Sequence, residues 1–209
     1  MTLPHDYQNI CKTLGSSTLY EASGLPCAVD RQIRPVWKGA FIAAPAYPVQ
    51  CSPGDNLGLH LAVAKAPRGS VLVCDTADFV AGYWGEVLTV AAEAAGIVGL
   101  VINGGVRDIA ALEARHFPVF ARGISVKGTV KATVPLLGKP LDFSGAWVSV
   151  GDLVVADEDG VIIIPAAAVE RTLEEGQKRA AKEALFMNRL REGQTTLALM
   201  GLAFPEEHA

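Results

Sequence analysis

Hydrophobic and polar positions follow a helical period in some stretches of this chain and gather into short continuous apolar runs in others. Between 7 and 14 the spacing predicts a short amphipathic helix. Ser16, Ser17 and Thr18 are residue types that open helices and Gly24 is one that closes them, so a second helix carrying Glu21 is expected there. Residues 41–44 and 47–49 read as strand or extended chain broken by Pro45. The turn Pro53-Gly54-Asp55-Asn56 supplies an N-cap for a helix over 57–65. A regular alternation follows: strand 70–75, helix 85–95, strand 98–103, helix 108–115 and strand 119–121. Such an order predicts a largely parallel sheet with helices packed against it. From 124 to 151 the chain is rich in Gly, Pro, Val and Thr, which predicts short strands and turns. Segments 152–156 and 161–164 flank Asp157-Glu158-Asp159-Gly160 and form a hairpin, with Pro165 ending its second strand. A long helix over 166–191 follows, rich in Ala, Glu, Lys and Arg, with Glu175 and Arg179 spaced for an i,i+4 pair and Glu183 on its charged face.

Length and composition narrow the function classes. The 209 residues suffice for one substantial core, so a single domain over 1–209 is expected. Half the residues are hydrophobic and 19% are charged, which implies a rather apolar surface and favours a homo-oligomer. A net charge of −4 leaves no basic stripe to follow phosphates, so no nucleic-acid partner is expected. No apolar run is long enough for a membrane span, and the first residues lack the layout of a signal peptide; a cytoplasmic protein with no membrane partner is expected. Cys11, Cys27, Cys51 and Cys74 are far apart in sequence with no C-x-x-C pair, and they read as reduced core thiols. Phosphate-loop, dinucleotide-fingerprint and G-x-S-x-G patterns are absent, as is H-x-x-x-H, so nucleotide, serine-hydrolase and zinc chemistry have no anchor.

The stretch Gly-Leu-Val-Ile-Asn-Gly-Gly-Val-Arg-Asp over 99–108 carries the most chemistry. A buried strand, expected to end at Gly104-Gly105, delivers Arg107 and Asp108 to the carboxyl edge of the sheet, where α/β proteins place ligands. Arg107 offers a rigid fork for a carboxylate, and Asp108 offers hard oxygen for Mg²⁺ or Mn²⁺. The same pair also reads as a cap for the following helix, with Asp108 accepting from its free amides. Before the helix at 85 lies Gly82-Tyr83-Trp84-Gly85-Glu86, where glycines let backbone amides approach an anion at a helix start. Glu86 is either a first-turn acid favoured by the helix dipole or an acceptor for water on a metal. Lys131, in preference to Lys127, is expected to place a positive charge towards a substrate.

Gly82-Tyr83-Trp84-Gly85-Glu86, Gly104-Gly105-Val106-Arg107-Asp108, Phe120-Ala121-Arg122-Gly123, Gly128-Thr129-Val130-Lys131 and 151–160 occur in that order. With them the chain resembles the RraA-like superfamily over roughly 15–200. More narrowly, it resembles the class II 4-hydroxy-4-methyl-2-oxoglutarate/4-carboxy-4-hydroxy-2-oxoadipate aldolases. The resemblance implies a compact αββα sandwich of the swivelling β/β/α type with a long C-terminal helix. It implies a trimer or dimer of trimers, with helices about 5–24 and 166–191 packing on neighbouring subunits. It implies Asp108 as the anchor of Mg²⁺ or Mn²⁺ and Arg107 as the substrate's grip. Backbone amides of Gly82, Tyr83, Trp84, Gly85, Glu86 and Val87 would hold the pyruvate carboxylate, while Glu21 and Glu183 would come from a neighbouring subunit to join Glu86 around the water network. The expected activity is metal-dependent cleavage of 4-hydroxy-2-oxo acids to pyruvate, with decarboxylation of oxaloacetate as a second activity. Two alternatives share the scaffold: a regulator of ribonuclease E, in which the Arg-Asp step is not intact, and a lyase acting on another oxo acid.

Overall fold

The computed structural model describes residues 5–203. The two expected N-terminal helices are joined in α1 (His5–Ser23), which kinks at Gly15, where φ is 75° and ψ 166°. At the kink, the amide and hydroxyl of Ser16 both donate to the Asp157 carboxylate at 2.6 Å, so the second half of α1 is capped from the distant hairpin turn. The chain continues through β1 (Arg34–Pro35), β2 (Ile42–Gln50), α2 (Leu57–Lys65), β3 (Val71–Asp75), α3 (Glu86–Ala95), β4 (Gly99–Val106), α4 (Ile109–Ala114) and β5 (Val119–Ile124). It then forms β6 (Leu136–Leu137), the hairpin of β7 (Leu141–Phe143) and β8 (Ala146–Val148), and the expected hairpin of β9 (Leu153–Ala156) and β10 (Val161–Ile164). A 3₁₀ turn (Ala166–Ala168) leads into α5 (Val169–Arg191), and α6 (Thr196–Met200) follows. Among the described residues no helix is long and apolar enough to cross a membrane.

The main sheet runs β1-β5-β4-β3-β2-β9-β10, with β6 added to the end of β2. Strands β2 to β5 are parallel, β9 pairs antiparallel with β2, and β10 pairs antiparallel with β9. Cys27 and Val29 bond backbone to backbone with β10, while β1 bonds β5, so one short stretch of chain touches both outer strands and nearly closes the sheet. Pro45 does not break the second strand as the sequence suggests. Ile42 to Pro45 pair with β9 and Ala46 to Gln50 pair with β3, so the missing proline N–H falls where one ladder ends and the other begins.

Alternation along the strands separates the layers. Leu72, Cys74, Leu100, Ile102, Val119 and Ala121 face α2, α3 and α4 in one core. Their neighbours Val71, Val73, Val101 and Phe120 turn the other way and meet Val154, Ala156, Val161 and Ile163 inside the curled sheet. Outside the β9–β10 hairpin, Leu153, Val155, Ile162 and Ile164 pack on α1 and α5, with Leu19 and Leu173 between. Helices, two faces of sheet and helices again make the αββα sandwich.

The start of α2 is tied down by Asp55, which is 2% exposed. Its Oδ1 accepts from the Leu57 amide at 2.9 Å, and its Oδ2 accepts from the amides of Ala132 and Thr133 at 2.7 Å. Burial pushes this carboxyl up, but the three amides outweigh it and hold it at about 2, below its ordinary 3.8. A group depressed in this way contributes stability that is present above the unfolded value and lost as pH falls from 3.8 through about 2. Thermal melting is therefore expected to favour the wild type over Asp55→Asn near neutrality, with the gap shrinking below about pH 4. A gap that stays constant across the acid range would contradict this assignment.

Candidate active site

The sequence predicts that the strand before Arg107 ends at Gly104-Gly105, but β4 continues through both glycines to Val106. A Cβ on Gly104 would stand 2.5 Å from Thr76 Oγ1, and one on Gly105 would stand 2.5 Å from the Ala81 carbonyl. These glycines are thus where the segment after β3 lies directly on β4, rather than where the strand stops. Beyond Asp75, where β3 ends, residues 82–84 take its place beside β4: the Tyr83 amide donates to the Gly105 carbonyl at 3.0 Å, and the Arg107 amide donates to the Trp84 carbonyl at 2.9 Å.

Tyr83 and Trp84 anchor this loop with fully buried side chains. The Tyr83 hydroxyl accepts from the Gly54 amide at 2.5 Å, and Trp84 Nε1 donates to Thr89 Oγ1 at 2.7 Å while its ring stacks on Phe117 at 6.0 Å. Several loop amides expected to face a ligand have partners within the chain. Gly82 donates to the Lys127 carbonyl, Tyr83 to Gly105, and Glu86 to Asp108. Among the described residues, the amides of Val87 and Leu88 in the first turn of α3 meet no acceptor.

Arg107 and Asp108 project at the end of β4, side chains 49% and 43% exposed, with Arg107 Nε 3.7 Å from Asp108 Oδ2. Asp108 stands at the N-cap position of α4 in a left-handed conformation with φ 59°, yet its side chain makes no bond to that helix. Instead Oδ2 accepts from the Glu86 amide at 3.0 Å, so the carboxylate caps α3, not the helix that follows it. The left-handed backbone costs on the order of 1–3 kcal/mol and is what turns the carboxylate across to the neighbouring helix. Gly85 must lack a side chain, because its Cβ would fall 2.3 Å from Asp108 Oδ2 and 3.1 Å from Arg107 Cγ. Gly82 leaves room for the same arginine, its Cβ position being 3.1 Å from Arg107 Cδ. Two glycines therefore cradle the stem of Arg107, and its guanidinium extends beside the open first turn of α3.

The other expected site residues are divided between two places. Glu86 opens α3 beside Asp108, but its carboxylate turns to Arg115 at 3.2 Å. Glu21 and Glu183 are brought together, both on the Arg179 guanidinium, with Glu183 at 2.8 Å. Both lie in the α1–α5 layer, across the sandwich from Arg107. Lys131 is exposed, and its charge acts on His60 of α2, whose pKa is lowered first by burial and then by this lysine. Lys127 lies nearer to Arg107, with Nζ 4.6 Å from the Phe79 ring and its carbonyl bonded to Gly82.

A divalent cation fits this site as a single-anchor ligand. Asp108 presents a half-exposed carboxylate with hard oxygens, and among the described residues no group of three His, Cys, Asp or Glu side chains could enclose an ion. Water or a second chain would have to supply the remaining positions, which suits Mg²⁺ or Mn²⁺ better than an ion with a full protein cage.

The family description "RraA-like: Aldolase/RraA" matches residues 11–163. The chain belongs to the RraA-like family. A Halalkalibacterium halodurans protein named "Putative 4-hydroxy-4-methyl-2-oxoglutarate aldolase" is 34% identical to this RraA-like chain over 179 residues, 85% of each. An uncharacterized protein from Pseudomonas syringae pv. tomato shares its fold with a TM-score of 0.82 at 24% identity, covering 96% of this chain and 95% of the other. The RNA-processing inhibitor RraA from Thermus thermophilis superposes with a TM-score of 0.66 at 23% identity, covering 72% and 92%.

One polar cluster of this RraA-like chain has no counterpart in the sequence reading. Arg122, 15% exposed, donates from Nε to Asn103 Oδ1 at 2.5 Å, from another nitrogen to Gln32, and pairs with Asp30 at 3.0 Å and Asp78 at 3.3 Å. Asn103 Nδ2 in turn donates to Asp75 and Asp78 at 2.9 and 2.7 Å. The network locks the ends of β3, β4 and β5 together beneath the site. The usable signal was Asn103, the one polar residue in the apolar strand 98–103.

Proposed function

We propose that this protein is a divalent-metal-dependent aldolase that releases pyruvate from 4-hydroxy-2-oxo acids and also decarboxylates oxaloacetate. The observation that carries the reading is the convergence of Arg107, Asp108 and the open first turn of α3 at one point on the sheet's carboxyl edge. The 34% identical relative supports the same class of reaction.

The substrate's pyruvyl carboxylate meets the Arg107 guanidinium and the Val87 and Leu88 amides, where the helix dipole adds a favourable field. When bound at Asp108, the cation supplies Lewis acidity to the 2-oxo group. Glu86 stands at the rim and orders a water that takes the 4-hydroxyl proton; Glu21 and Glu183, held as a pair on Arg179, are the acids a second copy of the chain would bring to the facing side. The C3–C4 bond then breaks, its electrons pass to the pyruvyl half as an enolate facing Arg107, and protonation at C3 gives pyruvate. A trimer or dimer of trimers is the assembly that suits such shared acids.

The test is pyruvate formation from 4-hydroxy-4-methyl-2-oxoglutarate and from oxaloacetate, with Mg²⁺ or with EDTA, for the wild type and Asp108→Ala. Metal-dependent release from the wild type and its loss in the variant is the expected result. Release no faster than the metal's own background on both substrates would overturn the reading.

A further inference from the structure

Cys51 and Cys74 are distant in sequence, but their sulfurs lie 3.7 Å apart, with the Cys74 thiol donating to Cys51. Cys51 follows β2 and Cys74 lies on β3, so adjacent parallel strands bring both side chains to the face covered by α2. The Cys51 sulfur also sits against the start of α2, beside Gly58. Gly58 permits this approach: a Cβ there would stand 2.6 Å from the Cys51 sulfur and 2.9 Å from the Pro135 Cβ. A sulfur that accepts from a second thiol within 4 Å has the arrangement of an attacking sulfur beside a resolving thiol.

We propose that Cys51 and Cys74 form an oxidisable dithiol, with Cys51 the sulfur attacked by hydrogen peroxide and Cys74 the sulfur that resolves it into a disulfide. The Cys51 thiolate displaces hydroxide from hydrogen peroxide to give a sulfenic acid, and the hydroxide takes a proton from solvent to become water. The Cys74 sulfur then attacks the Cys51 sulfur and loses its proton, and the hydroxyl group leaves as a second water. Two thiols and one peroxide thus give one disulfide and two waters.

Both sulfurs are buried, Cys51 4% and Cys74 0% exposed. Pro135 lies with Cys51 against Gly58, at the end of the stretch 130–135, in which Val130 and Val134 are solvent-exposed. The stretch is held by the two Asp55 bonds and by backbone bonds between Val130 and both Gly54 and Asn56. Local opening of this mostly exposed stretch is the route by which peroxide would reach Cys51. Bond formation must close the sulfur gap from 3.7 Å to about 2.05 Å.

The other two cysteines are internal controls. Burial pushes the Cys11 thiol up to about 11, and burial likewise raises Cys27. Cys51 is held below the ordinary thiol value, by the Cys74 thiol above all, against burial and the Asp55 charge. Peroxide titration of the folded full-length protein, followed by alkylation and peptide mass mapping, is expected to yield a Cys51–Cys74 linked peptide two hydrogens lighter, while Cys11 and Cys27 stay reduced. Cys51 is expected to react faster than Cys11, from its larger thiolate fraction. In Cys74→Ser the oxidation is expected to stop at a dimedone-trappable sulfenic acid on Cys51. Oxidation of Cys11 or Cys27 as fast as Cys51, over-oxidation of Cys51 with Cys74 still free, or no reaction at Cys51 while the fold persists would each overturn the proposal. The wild-type digest alone decides the matter should the serine variant not fold.

Discussion

Arg107→Ala is expected to release pyruvate about 10²–10³-fold more slowly than the wild type while melting at nearly the same temperature. The rate loss corresponds to about 2.7–4 kcal/mol, the scale for one preorganised donor aimed at developing charge. Stability should hardly change, because the side chain is half-exposed, its stem lies over Gly82 and Gly85, and its ion-pair partner is the equally exposed Asp108. Arg107→Lys should restore only part of the rate, since an ammonium cannot present the two parallel donors of a guanidinium. Pyruvate release followed continuously beside a thermal melt separates the two effects. Unchanged turnover in the alanine variant would remove Arg107 from the mechanism; a large drop in melting temperature would mean that the arginine supports the fold instead.

Trp84→Ala should show the opposite profile, a loss of stability of about 3–5 kcal/mol. The ring is 1% exposed, stacks on Phe117 and donates to Thr89, whose hydroxyl in turn donates to the Gly85 carbonyl at 3.1 Å. Its removal leaves a cavity between α3 and the sheet and leaves the Thr89 oxygen without its donor. Because the Trp84 carbonyl accepts from the Arg107 amide, the register that aims the arginine loosens as well. Urea unfolding is the measurement. A cost below about 1 kcal/mol would show that the loop does not depend on this ring.

Much of this architecture was legible because it rests on short-range pattern. The alternation from 57 to 121 gave the parallel half, and the Asp-Gly step at 159–160 gave the β9–β10 turn. What escaped depends on partners distant in sequence. Pro45 reads as a break until β9 and β3 are seen to share β2 between them. Gly104-Gly105 reads as a stop because the 76–85 segment that needs the missing side chains lies more than twenty residues away. The adjacency of Arg107 and Asp108 was plain, but that Asp108 does not cap the next helix turned on a single left-handed residue that sends the carboxylate to α3. The meeting of Glu21 and Glu183 on Arg179 was not legible, since it depends on the packing of α1 against α5. Arg122 stands out in the sequence only as part of a motif, since its four partners come from three separate segments.

The double allegiance of β2 also sets an order in time. Its second half finds β3 across the single crossover through α2, whereas its first half waits for β9, more than a hundred residues further on. As the chain leaves the ribosome, the layers bearing Arg107 and Asp108 emerge while the hairpin that closes the sheet has not yet been synthesised. Until that hairpin arrives, Ile42, Ala43 and Ala44 lie along an unfilled, apolar strand margin.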